Sequence, residues 1–244
     1  MSRVKHNAMH QYTGGLNNAP TGGPNLLPFP TPGLQGWKCL YQDFAHGVLY
    51  TADNVEYEST NLSGAATVAA NGMLLSSTGT INTGAHVQDT TPQVILGAST
   101  KKYYIETSVT LTAAAATANE LFVGFASDVT GTNHQADAGT SWTADAMLGF
   151  GRLDGATEID LIVRAADVEQ TIGLGSNLTT AVRAKLGCYY DGTKYYVYKD
   201  DELVSEGTSQ VHPATAIGIS AFIKTGAGAV QSALVNYIAL YTEL

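Results

Sequence analysis

Along much of the chain, apolar and polar residues alternate with a period of two. In KKYYIETSVTL, Tyr103, Ile105, Thr107, Val109 and Leu111 fall on one face, and Tyr104, Glu106, Ser108 and Thr110 on the other. That period marks a strand with one face on a core. ELFVGFA places Leu121, Val123 and Phe125 together, and AIGISAFIK does the same with Ile217, Ile219, Ala221 and Ile223. ALVNYIALYTEL is apolar on both faces, which predicts a central strand near the end of the sequence. GVLYT at 47–51, GMLLSS at 72–77, AMLGFGRL at 146–153, EIDLIVRA at 158–165 and AKLGCYY at 184–190 add further candidates. No segment carries a convincing helical period; TAAAATA at 112–118 is helix-permissive but too short to stand alone, and reads as a connection. About a dozen short strands separated by turn clusters predict an all-β sandwich or barrel.

The first 36 residues break this pattern. Pro20, Pro24, Pro28, Pro30 and Pro32 lie there, and only Pro92 and Pro213 elsewhere. Proline removes backbone donors and favours extended, polyproline-like geometry, so this stretch builds neither sheet nor helix. It nevertheless holds Leu26, Leu27, Phe29 and Leu34 among the prolines. Two readings stand: a disordered terminus, or an extended arm that orders as it docks those apolar residues in a neighbour's groove. The interleaving of apolar residues with prolines favours the arm. The division expected is therefore an arm over 1–36 and a sandwich over 37–244.

Charge sharpens the division. The arm carries Arg3 and Lys5 and no acid, whereas all 21 Asp and Glu residues lie downstream, starting at Asp43. The formal net charge of the 244-residue chain is -9, which argues against a nucleic-acid partner for the body. Charged residues make up 14% of the chain, against about 25% in an average soluble domain; Gly, Ala, Thr, Ser and Asn fill the difference. Such low-charge, turn-rich surfaces are common where subunits meet. The start lacks the apolar core of a secretory leader, and no apolar run approaches the roughly 20 residues of a membrane helix. A body this long needs no staples, and Cys39 and Cys188 are expected as free thiols.

The stretch YYDGTKYYVYKDDELVSEG, 189–207, followed by TAIGISAFIKTGAGAVQSALVNYIALY, resembles the C-terminal half of concanavalin A-like, or laminin-G-like, jelly-roll sandwiches. The shared pattern is a strand, the turn Tyr190-Asp191-Gly192-Thr193, the strand Lys194 to Tyr198, a short turn, and Glu202-Leu203-Val204. KYYIETSVTL and NELFVGFAS look like the strands preceding it, so the resemblance covers roughly residues 100–244. One departure is Asp200-Asp201, where the family often has Asp-Gly. The resemblance implies an antiparallel jelly-roll sandwich preceded by the extended arm. The proline-rich arm, the low-charge body and the missing leader together resemble head decoration, or cement, proteins of tailed bacteriophages. That likeness implies a virion protein on the capsid surface, made in the host cytoplasm. Its partners would be the major capsid protein and neighbouring copies of itself, as a homo-oligomer, with no nucleic acid and no membrane. Leu26, Leu27, Phe29 and Leu34 would be the docking anchors.

Candidate chemistry is sparse. Some glycosidases of this sandwich carry acids in the pattern E-[ILV]-D-x-(x)-E on one strand. TEIDLIVR begins it with Glu158, Ile159 and Asp160, but Ile162 and Val163 stand where the third acid belongs. A retaining hydrolase needs two carboxyls about 5–5.5 Å apart, and the acid/base is missing, so no enzyme is expected. No G-x-S-x-G elbow, phosphate loop, H-E-x-x-H or C-x-x-C occurs. The histidines His6, His10, His46, His86, His134 and His212 are scattered; no metal or cofactor is expected, with turn calcium at Asp191, Asp200, Asp201 and Glu202 the nearest alternative. The long segment 127–146, with His134, Asp137, Trp142 and Asp145, is the best loop for a site. Trp142 either stacks on a sugar or anchors an interface, or else folds over the core. With Tyr195 and Val197 inward, Tyr196 and Tyr198 face outward and suit sugar stacking or protein contact alike. The alternative function is thus a carbohydrate-binding module or an adhesin-like virion appendage.

Overall fold

A computed structural model describes residues 37–44, 57–69, 71–89, 94–96, 100–113, 119–127, 142–153, 155–156, 158–166, 168–208, 211–226 and 228–243. The arm and the candidate strand at 47–51 lie outside these residues. Two antiparallel sheets pack face to face. Sheet A contains β1 (Trp37–Asp43), β3 (Ala65–Ala69), β4 (Gly72–Ser76), β6 (Tyr103–Ala113), β11 (Arg183–Tyr190), β12 (Lys194–Lys199), β13 (Glu202–Thr208) and β15 (Ser232–Glu243). Its strand order is β13-β12-β11-β6-β15-β4-β3, with β1 paired to the C-terminal half of β15 while β4 pairs to its N-terminal half. Sheet B contains β2 (Tyr57–Leu62), β5 (Gly84–Asp89), β7 (Asn119–Ala126), β8 (Ala146–Arg152), β9 (Asp160–Ala165), β10 (Val168–Gly173) and β14 (Gly218–Thr225), in the order β10-β9-β8-β7-β14-β5-β2. Among the described residues there is no helix. The architecture is the antiparallel jelly-roll sandwich expected.

The core forms where the period of two predicts it. Tyr103, Ile105, Val109 and Leu111 of β6 meet Leu121, Val123 and Phe125 of β7, and Ile219, Ala221 and Ile223 of β14 line the same apolar cluster. Fully burying such a side chain contributes about 1.5–3 kcal/mol. β15 is central as expected, with neighbours on both sides. Its two apolar faces have a local cause. A bulge between Val235 and Tyr237 shifts the register against β6, so Ala233 and Val235 point inward before it, and Ile238 and Leu240 after it.

The sandwich is tied along both sides. Gln170 Nε2 donates to Thr208 O at 2.8 Å, joining the edge strands β10 and β13. On the other side Gly64 N donates to Gly84 O at 3.1 Å. The hairpin β12–β13 turns on Asp200 and Asp201, whose φ values are 51° and 71°. Two successive left-handed residues make a type I′ geometry, which matches the twist of the flanking strands. Asp tolerates it here because the turn is clamped to β11: Asp200 Oδ1 accepts Lys185 N at 2.9 Å, and Asp201 Oδ1 accepts Lys185 Nζ at 2.6 Å. At the opposite end of β12, Asp191 Oδ1 accepts the Thr193 and Lys194 amides at 2.8 Å each, and Gly192 takes φ 98°.

Candidate functional site

The period of two gives each strand of sheet A an outer set of side chains, and the register aligns those sets into rows. One row runs Glu206, Tyr196, Tyr189, Tyr104, Tyr241 across β13, β12, β11, β6 and β15. The next runs Leu203, Tyr198, Gly187, Glu106, Ala239. The doublets Tyr103-Tyr104 and Tyr189-Tyr190 create this surface, each sending one ring inward and one outward. Tyr189 stacks on Tyr196 with ring centroids 6.1 Å apart, and Tyr104 lies 6.2 Å from Tyr241.

Gly187 makes the centre of the face possible. A Cβ there would sit 2.6 Å from Tyr104 Oη, so its absence lets the Tyr104 ring lie across β11. The hydroxyl then donates to Glu106 Oε2 at 2.6 Å, and Tyr237 donates to Glu106 Oε1 at 2.6 Å. Lys185 Nζ stands 3.3 Å from Glu106 Oε2 and bridges to Asp201. Burial works against the Lys185 ammonium, but Glu106 and Asp201 outweigh it, and its pKa is raised. Burial first, and the Glu106 charge second, push the Tyr104 phenol well above its ordinary value. Burial also drives Tyr198 up to about 12. The face therefore presents neutral aromatic rings around Glu106, a carboxylate engaged by three donors. Such a surface suits stacking and hydrogen bonding.

The sites expected from the sequence separate in the structure. Tyr196 faces outward and is partly exposed, its hydroxyl donating to Asp191 Oδ2 at 3.1 Å. Tyr198 also lies on the outer side, but only 1% of it is exposed, so the expected open ring is not found. Its neighbours Tyr104, Tyr189 and Leu203 enclose it. Trp142 corrects likewise: it is 1% exposed and packs edge-on to Phe122 at 5.7 Å, over the glycine at 151. The reading in which it folds over the core is the one realised. Leu26, Leu27, Phe29, Leu34, His134 and Asp137 lie outside the described residues.

The acids of the glycosidase-like pattern do approach one another. A Cβ on Gly173 would lie 3.4 Å from Glu158 Oε2 and 3.5 Å from Asp160 Oδ1. Burial, and then the Glu158 charge, raise the Asp160 pKa. No third acid joins them on β9, where Ile162 and Val163 are both buried. Among the described residues no group of three His, Cys, Asp or Glu side chains is placed to hold a metal ion. Asp191, Asp200 and Asp201 have partners already: Asp191 caps its own turn, and those amides together with the Tyr196 hydroxyl overcome partial burial to lower its pKa.

The outer face of sheet B is of a different kind. Phe122, Phe222, Met147, Ile162 and Trp142 form a second apolar cluster there. Beside it run buried polar residues. His86 Nε2 lies 3.0 Å from Ser220 Oγ, and Lys224 Nζ lies 3.7 Å from Glu120 Oε2, with both charged side chains at or below 1% exposure. Burial lowers the His86 pKa to about 4. The sequence reading missed these pairs because the partners lie 134 residues apart for His86 and Ser220, and only strand register brings them together.

No family model and no curated protein sequence matches the chain. Solved structures do. The carbohydrate recognition domain of Emp47p superposes with a TM-score of 0.60 at 11% identity, over 86% of this chain and 98% of that one. The endo-1,3-β-glucanase of Streptomyces sioyaensis gives 0.58 at 10% identity, over 86% and 97%. The laminarinase catalytic domain of Thermotoga petrophila RKU-1 gives 0.56 at 11% identity, over 86% and 99%. The fold is a concanavalin A-like jelly-roll sandwich. At such identities the likeness concerns the fold, and function rests on the chain's own residues.

Proposed function

We propose that this chain is a noncatalytic contact protein, a rigid sandwich that decorates or cements a bacteriophage capsid through its N-terminal arm and one outer face. The observation that supports it best is the outer face of sheet A, where aromatic rings in register surround Glu106, which accepts from two tyrosine hydroxyls. The arm, with Leu26, Leu27, Phe29 and Leu34 set among prolines, supplies a second contact. Several modest contacts per copy, repeated over a particle, stabilise a shell without any single tight site. The test is binding of the purified chain to particles. Replacing Leu26, Leu27, Phe29 and Leu34 together by Ser is expected to abolish binding while leaving the sandwich folded; undiminished binding sinks the reading.

The second reading is carbohydrate binding, favoured by the neighbours' fold and by Tyr196, the partly exposed ring of the row. A glycan array discriminates. Specific binding that disappears in Tyr196→Ala, with the fold intact, supports it over the structural reading.

A further inference from the structure

Among the described residues six large apolar side chains are exposed, and three of them share one end of the sandwich. Ile81 is 58% exposed on the β4–β5 connection, Val230 51% on the β14–β15 connection, and Val182 54% just before β11. Strand register brings these loops together. Ser232, at the start of β15, pairs with Ser76 of β4 and with Ala113 of β6, and Arg183 opens β11 opposite Thr110. From β4 to β11 is three interstrand gaps, about 14 Å. The loops are held by their own hydrogen bonds. Ser77 N donates to Gln231 O and Gln231 N to Ser77 Oγ, each at 2.8 Å, and Asn82 N donates to Thr225 O at 2.8 Å. Thr83 Oγ1 donates to Thr80 O at 2.7 Å, and Ala181 N to Leu111 O at 2.7 Å. The three apolar side chains thus stand on an ordered backbone and, being β-branched, have few rotamers to lose on contact.

What these loops lack is charge. Residues 76–84, 174–182 and 225–236 contain no Asp, Glu, Lys, Arg or His. Their other exposed residues include Thr78, Thr80, Thr179 and Thr180. Arg183, which follows Val182, turns onto the outer face of sheet A, where its Nε donates to Ser108 Oγ at 2.6 Å. Lys224 and Glu120, on the strands behind, are buried against each other. Glu158, Asp200 and Asp201 lie on turns toward the β10 and β13 edge. The absence of charge selects the partner. A chain of formal net charge -9 repels its own copies, and a surface of one sign cannot face itself. An uncharged surface can, and a threonine hydroxyl both donates and accepts, so two identical patches are complementary across a two-fold axis. We propose that this uncharged end is a self-association surface, on which a second copy of the chain docks by the same end. Ile81, Val182 and Val230 supply the apolar contact and the threonines its rim. Four strands by two sheets, about 14 Å by 10 Å between strand axes, is small against the about 800 Å² per partner of a standard interface. The contact is therefore weak in solution and gains where a second attachment crowds the copies. The inference rests on the reading of the chain as a contact protein with neighbouring copies, and adds the surface by which they touch.

The test is sedimentation of the full chain under reducing conditions, from about 10 μM to about 1 mM. The chain is expected to pair reversibly, and more tightly at high salt, which screens the repulsion between the acidic bodies. Two variants put like charges on the patch: Ile81→Lys with Val230→Lys, and Ile81→Glu with Val230→Glu. Both positions are exposed, so the sandwich is expected to stay folded, which circular dichroism checks. Each variant alone is expected to pair at least about tenfold more weakly than the parent chain. An equimolar mixture of the two is expected to recover pairing, because a two-fold contact sets lysines against glutamates. A parent chain that stays monomeric throughout overturns the proposal, as does pairing that survives in both variants or that salt weakens. Loss in both variants without recovery in the mixture sets a different surface of the second copy against this end, and overturns the two-fold docking. Particle binding is measured separately, so a chain that pairs but binds no particle sinks the capsid reading and leaves this one standing.

Discussion

The two outer faces of the sandwich occupy equivalent positions and are built from opposite materials. On sheet B, Phe122, Phe222, Met147 and Trp142 make a second apolar cluster, flanked by the buried Lys224–Glu120 pair and by His86 against Ser220. On sheet A the rings are tyrosines, the hydroxyls of Tyr104 and Tyr237 donate to Glu106, and Tyr196 and Tyr237 are only partly buried. Phenylalanine and tryptophan contribute area, whereas tyrosine contributes area and a hydrogen-bonding end that tolerates both a dry neighbour and water. The sheet B face is thus closed by apolar area, whereas the sheet A face keeps hydrogen-bonding groups among its rings.

Mutations sharpen that contrast, beginning with the largest effect. Trp142→Ala is expected to cost about 3–5 kcal/mol, because truncating a buried ring removes its burial and leaves a cavity against Phe122. Chemical denaturation measures it. A change below about 1 kcal/mol would show that Trp142 is a surface platform after all. Next is pH. His86 has a folded pKa lowered from 6.5 to about 4 by burial. The unfolded state therefore binds more protons between those values, and stability is retained above pH 6.5 and lost as pH falls toward 4, by about 3 kcal/mol in all. Stability measured from pH 7 to 4 should lose that part of its slope in His86→Gln.

Smaller effects belong to sheet A. Gly187→Ala is expected to cost about 1–3 kcal/mol, since the new methyl strikes Tyr104 Oη and displaces the ring from Glu106. A Tyr104→Phe background, which removes that oxygen, should recover part of the loss; no recovery would place the clash elsewhere. Smallest is Tyr196→Ala, expected to change stability by less than about 1 kcal/mol because the ring is partly exposed. Its consequence should appear in binding of a particle or a glycan. Loss of several kcal/mol instead would make Tyr196 a core residue and remove the contrast between the faces.

The sequence by itself determined the strand-rich class, because one face of each strand must meet a core and the period of two records that requirement. β6, β7, β14 and the hairpin through Asp191 were legible for this reason. β5, GAHVQD, was not, because its His86 and Gln88 look solvent-facing and are buried on the outer side of sheet B. β10, VEQTIG, was missed for the opposite cause: as an exposed edge strand it has little apolar pattern to show. The tyrosines were visible one by one, and Tyr196 was expected to face outward, yet nothing local placed Tyr104, Tyr189 and Tyr241 beside it. Those rings come from strands far apart in sequence, and only antiparallel register aligns them in one row. The same applies to burial. Alternation assigns a residue to a side of its sheet, but whether that side is wet or covered depends on the rest of the chain. The structure therefore decided that Trp142 and Tyr198 are enclosed, and that Glu106 receives its three donors from β6, β11 and β15.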